Sequence, residues 1–179
     1  CLLFLLPLPL AHASSEYYSY SYARLSYVQG NVFIQHTEDL GFEEGVVNLT
    51  LIEGEKLGTK DGRAEIHFGR KNYLRLDSHT KLDLIKLPSQ GDDLIKLHLL
   101  SGNIYLRIDL LERGKDINVH APDASFYFLE EGLYRLEVRE DRECEIFVLE
   151  GSVEAAGEEG SVLVREDERL VASNGRFLS

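Results

Sequence analysis

The sequence predicts an all-β protein of many short strands in an irregular β-solenoid-like or sandwich arrangement. Apolar residues recur at every second position from Ala23 onward, the mark of half-buried strands with one wet face. A corner phrase built round glycine occurs three times. No long stretch carries the apolar period of a helix, and Ile108–Arg113 offers at most one turn.

The first corner phrase is Tyr27-Val28-Gln29-Gly30-Asn31-Val32-Phe33-Ile34. The second is Leu99-Leu100-Ser101-Gly102-Asn103-Ile104-Tyr105-Leu106, and the third is Val148-Leu149-Glu150-Gly151-Ser152-Val153-Glu154-Ala155. Each places two apolar residues, a polar residue, Gly and a small polar residue before a β-branched residue that resumes the alternation. That is strand, sharp turn, strand. The unequal spacing of Gly30, Gly102 and Gly151 departs from a regular solenoid repeat, leaving repeated corners in a sheet stack or turns of an irregular coil.

Taken in order, the alternation predicts strands around Ala64, Ile66 and Phe68, then Leu74 and Leu76, then Leu82 and Leu84. Ile95, Leu97 and Leu99 follow, and then Ile104, Leu106 and Ile108. The pattern continues through Ile117 and Val119, Phe126 and Phe128, Tyr134, Leu136 and Val138, and finally Val162 and Val164. Turn signals separate the runs at Asp61-Gly62, Gln90-Gly91-Asp92, Arg113-Gly114, Glu131-Gly132 and Asn174-Gly175.

The 179 residues are enough for one domain with a real core. The sequence opens at Cys1 and contains no Met, so it is expected to lack its initiator. Residues 2–10 are apolar and uncharged, and Ala11-His12-Ala13 follows with small residues where a signal peptidase needs them. The run is too short for a spanning helix, which takes about 20 apolar residues. Residues 1–13 therefore read as a truncated signal peptide cleaved after Ala13, with Ala11 and Ala13 as its cleavage residues. Residues 14–22 form a Ser/Tyr-rich linker, and 23–179 are the β domain. The protein is expected to be periplasmic or secreted, with no transmembrane anchor in this chain.

The formal net charge is −12, which disfavours nucleic acid and anionic membrane surfaces as partners. With Cys1 gone in the leader, Cys144 is a lone cysteine on the face shared by Ile146 and Val148, expected to be buried and inert. No phosphate loop, dinucleotide fingerprint, zincin helix, Cys pair or nucleophile elbow is present, so no cofactor is expected. His12, His36, His67, His79, His98 and His120 stand apart in sequence. His67 and His98 alternate with apolar residues and read as surface histidines rather than metal ligands. The acidic pairs Glu43-Glu44, Asp92-Asp93, Glu130-Glu131 and Glu158-Glu159 all adjoin glycine and read as solvated turns. Asn48-Leu49-Thr50 fits a glycosylation sequon.

The order of these phrases resembles the FecR domain. The resemblance runs from Ala23-Arg24-Leu25-Ser26-Tyr27-Val28-Gln29-Gly30-Asn31-Val32 through Asn48–Thr59, Gly62–Gly69, Leu74-Arg75-Leu76 and Thr80-Lys81-Leu82. It continues with Leu100–Leu106, with Ile117–Ala124 (Ala121 standing where the family has Thr), and with Gly132–Val138 and Val148–Val153. It implies an extracytoplasmic β domain without catalytic residues. In the founding members that domain takes a signal from an outer-membrane receptor and passes it to a sigma factor. Those members carry a sigma-binding segment and a transmembrane helix where this chain has its leader pattern, so direct sigma-factor control is not expected. The resulting expectation is a non-enzymatic envelope module that binds a protein partner, with an exposed strand edge as its docking surface. A glycan- or envelope-polymer-binding module, using Tyr17–Tyr22 or Tyr105 as stacking platforms, is the alternative.

Overall fold

The computed structural model describes residues 23–37, 41–69, 71–89 and 91–178. Ala11, Ala13, the linker 14–22 and Tyr17–Tyr22 lie outside the described residues. Within them the chain is all strand and turn. In order, the strands are β1 (Ala23–Gln29), β2 (Val32–Gln35), β3 (Glu43–Glu44), β4 (Lys56–Thr59), β5 (Arg63–Phe68) and β6 (Asn72–Leu76). Next come β7 (Lys81–Lys86), β8 (Ile95–Ile108), β9 (Ile117–His120), β10 (Ser125–Phe128) and β11 (Gly132–Val138). The last are β12 (Cys144–Glu150), β13 (Ser152–Gly157), β14 (Gly160–Arg165), β15 (Arg169–Ser173) and β16 (Arg176–Leu178).

These strands make two sheets that share one strand. Sheet A runs β1-β5-β6-β8-β11-β12-β15-β16, and sheet B runs β3-β2-β4-β7-β8-β9-β10-β13-β14. The first half of β8 pairs with β7 and β9 in sheet B, and the second half pairs with β6 and β11 in sheet A. All ladders are antiparallel except β8–β9. The ladder does not close into a barrel: β1 and β16 end one sheet, and β3 and β14 end the other. The chain passes back and forth between A and B in runs of strands, so it follows a coil-like path without a repeat while its two sheets face each other across one core.

The core explains the alternation. Leu25, Ile66, Leu74, Leu106, Leu136 and Ile146 point inward from sheet A, and Ile34, Leu82, Leu97, Val119, Phe126 and Val153 from sheet B, all into a single buried cluster. Phe68, Phe126, Phe128 and Tyr134 are its largest fully buried side chains. Each such side chain contributes about 1.5–3 kcal/mol by leaving water.

All three glycine phrases are the corners where the chain changes sheet. Gly30 leads from β1 in A to β2 in B, Gly102 bends β8 from B to A, and Gly151 leads from β12 in A to β13 in B. At Gly102 the turn does not separate two strands, as the phrase predicts; it bends one 14-residue strand that serves both sheets. Its φ is +94°, and an added Cβ would meet the Thr80 backbone and lie 2.5 Å from Thr80 Oγ1. A side chain here is excluded both by conformation and by space.

Buried hydroxyls bind the corners to one another. Thr59 Oγ1 donates to Asp77 O at 2.6 Å and accepts from Thr80 N at 2.9 Å. Thr80 Oγ1 in turn accepts from Asn103 N at 3.1 Å. Lys60 N donates to Asn31 O, and His79 N to Lys60 O, so neighbouring corners are hydrogen-bonded in a stack. On the other side of the molecule Tyr134 does the same work. Its hydroxyl donates to Glu130 O at 2.7 Å and accepts from Ser152 N at 3.2 Å, while Leu129 N donates to Ser152 O.

Three expectations need correction. Glu43-Glu44 is a short strand against β2 rather than a turn, because Phe33 and Ile34 offer it a ladder. Residues 109–116 are irregular, with no helical turn. Val162 is not buried like Val164: it is exposed, because β14 is the last strand of sheet B and overhangs the core.

Candidate partner-binding surface

The β13–β14 hairpin forms where Gly157-Glu158-Glu159-Gly160 allows a two-residue turn between alternating segments. Gly160 supplies a φ of +126°. The ladder to β13 is regular from Gly157↔Gly160 to Ser152↔Arg165, with no bulge. Val164 anchors β14 in the core. Val162 and Leu163 project from the two faces of the strand, 40% and 39% exposed. Among the described residues no strand pairs with the outer side of β14. At its end Arg165 N donates to Glu168 Oε2 at 2.8 Å and Arg165 O accepts from Glu168 N at 3.0 Å, which leaves Ser161 and Leu163 as the open positions. Along an antiparallel edge every second residue turns its N–H and C=O outward. β14 has neither Pro nor Lys and no twist-inducing bulge, the usual devices that blunt an edge. Acidic residues flank it instead, at Glu158, Glu159, Glu166, Asp167 and Glu168.

The histidines are dispersed over other surfaces. His67 does face outward from sheet A, but it is half-buried and stacks on Tyr73, with ring centroids 4.5 Å apart. His79 lies 3.7 Å from Asp61 at a corner. The parallel β8–β9 ladder sets His98 opposite His120, and antiparallel β7 sets Asp83 opposite His98. His120 Nδ1 is 2.8 Å from Ser125 Oγ. Burial, then His98 and Lys96, hold the His120 pKa below its ordinary value. Asp83 approaches His98 at 3.9 Å, not His120. A serine–histidine contact is therefore present without the carboxylate that would orient the imidazole as a base. Among the described residues no three His, Cys, Asp or Glu side chains are placed to hold a metal ion.

Cys144 is buried, and burial pushes its thiol up to about 11, so it stays protonated and inert. Of the acidic pairs, Glu130-Glu131 and Glu158-Glu159 lie at exposed turns, as expected. Asn48 lies exposed at a turn, in the left-handed region.

Tyr105 is 37% exposed on the outer face of sheet A, with Arg75 and Arg135 opposite it on the neighbouring strands. Both guanidinium groups are engaged, Arg75 with Glu65 and Arg135 with Glu137, each at 2.7 Å. Tyr27 stands in the same cross-strand row but three strands away, and Tyr134 is in the core. Among the described residues Tyr27, Tyr105 and Tyr134 thus line no common groove.

One polar site escapes the alternation pattern entirely. Glu55, in the turn before β4, is only 2% exposed. One carboxylate oxygen accepts from Ile52 N at 2.9 Å and the other meets His36 Nδ1. The hydrogen bond that His36 donates to the Glu55 carboxylate, reinforced by Glu43, raises the His36 pKa above 6.5. A raised folded-state pKa gives stability that is complete below the unfolded pKa and lost as pH rises through the folded one. The stability difference between wild type and His36→Gln should therefore be largest in mild acid and shrink as pH is raised past 6.5. Urea unfolding of both proteins across that range checks it; a pH-independent difference would show that the pair does not titrate.

Two solved structures share this fold. Both are of a candidate anti-sigma factor from Parabacteroides distasonis ATCC 8503, at 2.50 and 1.65 Å resolution. Their TM-scores are 0.57 and 0.58 at 16% and 15% identity. Each likeness covers 69% of this chain and 57% of that one, so the chain spans little more than half the length of these solved relatives. No curated protein matches the chain. Residues 55–154, from the buried Glu55 before β4 to Glu154 in β13, match the FecR protein family over more than half of the 179 residues, and the chain belongs to that family.

Proposed function

We propose that this domain is a non-enzymatic, extracytoplasmic signalling module that binds a protein partner by accepting a strand at β14. The observation that carries the reading is the open β14 edge, with Val162 and Leu163 exposed on a regular ladder. An added strand would gain backbone hydrogen bonds from the edge and apolar contact on both faces. FecR membership and the fold shared with a candidate anti-sigma factor support a regulatory role. The leader pattern ending at Ala13 supports export. Among the described residues no helix is long and apolar enough to cross a membrane. A non-catalytic role is supported by the dispersal of reactive groups: Cys144 and Tyr134 are sealed in the core, and His120 lacks an orienting carboxylate.

The test is crosslinking capture from envelope extracts, with residues 14–179 as bait. The control bait is the double variant Val162→Lys and Leu163→Lys, which places charges on an already exposed edge. A protein captured by wild type should be lost from the variant, while the melting temperature changes little, because exposed substitutions typically shift stability by about 0.5 kcal/mol or less. Equal capture by both baits removes β14 from the reading. Retention of cell-wall polymer, abolished by Tyr105→Ala and untouched by the β14 changes, would establish the glycan reading that exposed Tyr105 favours.

A further inference from the structure

We propose a second recognition site on the outer face of sheet B: a lysine-rimmed groove over Gly58 that takes an extended acidic peptide with one bulky apolar side chain. The inference rests on the reading of the domain as a partner-binding module, but it uses a sheet face, not the β14 edge.

Strand alternation turns Leu57 and Thr59 of β4 into the core and sets Lys56, Gly58 and Lys60 in a line outside. Gly58 faces Phe33 on β2 and Lys81 on β7. Nothing in the backbone demands glycine there. Its φ is not in the left-handed region, and an added Cβ would find its nearest atom, Thr80 O, 4.0 Å away. Glycine inside a strand is less stable than alanine, and it marks places where a ligand or a second backbone comes close. Here it leaves a bare floor between two lysines, in a groove of about 560 Å³.

The walls are apolar and open. Phe42 is 66% exposed and Leu100 39%, with Phe33 half-buried beside them. The rim is cationic: Lys60 Nζ lies 5.4 Å from the Phe33 ring centre. Among the described residues Lys56, Lys60 and Lys81 make no ion pair within 4.0 Å, whereas Lys86 pairs with Glu53 and Lys115 with Glu154. One carboxylate, Asp83, also lines the groove, opposite Lys56 on β7, so the lysines outnumber it three to one. In a chain of net charge −12, this local excess of positive charge round one apolar patch selects an anionic, apolar-centred ligand.

The spacing selects its form. Lys56 opens β4 and Lys60 follows its last residue, four positions on, about 13 Å along the backbone at ~3.3 Å per residue. An extended peptide with acidic residues at its first and fifth positions has the same spacing. Its third residue then lies over Gly58, against Phe33 and Leu100.

The test is an amide NMR titration of residues 14–179 with the peptide Glu-Ser-Phe-Ser-Glu, acetylated and amidated at its ends. The expected shifts centre on Gly58, Lys60, Lys81 and Leu100. Lys-Ser-Phe-Ser-Lys and Glu-Ser-Ser-Ser-Glu should bind about tenfold more weakly or not at all, having lost the charge match or the anchor. Gly58→Val should abolish the shifts while leaving the melting temperature equal or higher, so loss of binding is not loss of fold. Absence of shifts at those amides, or shifts that persist in Gly58→Val, overturns the groove. The β14 double variant should bind the peptide as wild type does. Failure of the peptide with intact β14-dependent capture therefore condemns the groove alone, and loss of capture in wild type condemns the partner reading.

Discussion

Gly102→Val is expected to destabilise the domain by about 3–5 kcal/mol, combining left-handed backbone strain with overpacking against a fixed neighbour. The residue has φ +94°, where a β-branched side chain is strongly disfavoured. Its Cβ would be driven into the Thr80 backbone and the hydroxyl that bonds Asn103 N. Thr80 has no room to retreat, since it is wholly buried and its N–H is bonded to Thr59 Oγ1. β8 belongs to both sheets, so displacement at this corner disturbs the pairing of β7, β9, β6 and β11 together. For a domain of this size the loss corresponds to a fall in melting temperature of roughly 10 °C. Gly58→Ala is the control: its Cβ meets open space at ordinary φ, and its melting temperature should hold or rise. An unchanged melting temperature for Gly102→Val would refute the corner.

Tyr134→Ala is expected to cost about 3–5 kcal/mol, the usual range for truncating a large aromatic in a packed core. Tyr134→Phe isolates the hydroxyl and should cost about 1–3 kcal/mol, because it leaves buried backbone groups without a partner. Tyr134 is fully buried and packs edge-on against Phe128, with centroids 4.6 Å apart. Burial pushes its phenol up to about 12, so it is a neutral donor throughout the ordinary pH range. The hydroxyl ties the β10–β11 corner at Glu130 to the β12–β13 corner at Ser152. An added Cβ at Gly151 would clash with that same hydroxyl and lie 2.6 Å from Glu131 O, so Gly151 and Tyr134 act as a unit. Denaturant unfolding of Tyr134→Phe, Gly151→Ala and the double variant should show non-additive losses. Strict additivity would mean that the two positions do not share a corner.

The corners are legible in the sequence because a left-handed backbone in a crowded place leaves little choice but glycine, and Gly30, Gly102 and Gly151 repeat one phrase. The inward faces are legible because an inside/outside alternation of period two is a direct record of burial. Pairing is less so. That β8 runs through Gly102 and joins two sheets depends on partners 20 to 40 residues away, such as Leu82 and Leu136, and nothing near Gly102 reports them. Val162 alternates with Val164 as a buried residue does, yet it overhangs the core, since a strand's own pattern does not say whether it is last in a sheet. Glu55 is buried and His36 half-buried, polar partners drawn from separate segments, and each alone looks like surface. Gly58 resembles any other glycine until its φ and surroundings show that it has no structural need to be one.

The most direct measurement of the docking edge is hydrogen exchange of the domain alone and with a captured envelope partner. Strand addition predicts new protection concentrated at the outward amides of Ser161 and Leu163 on β14, with the outer face of sheet A round Tyr105 unchanged. Protection round Tyr105, or a β14 that exchanges equally in both states, would contradict partner binding at that edge.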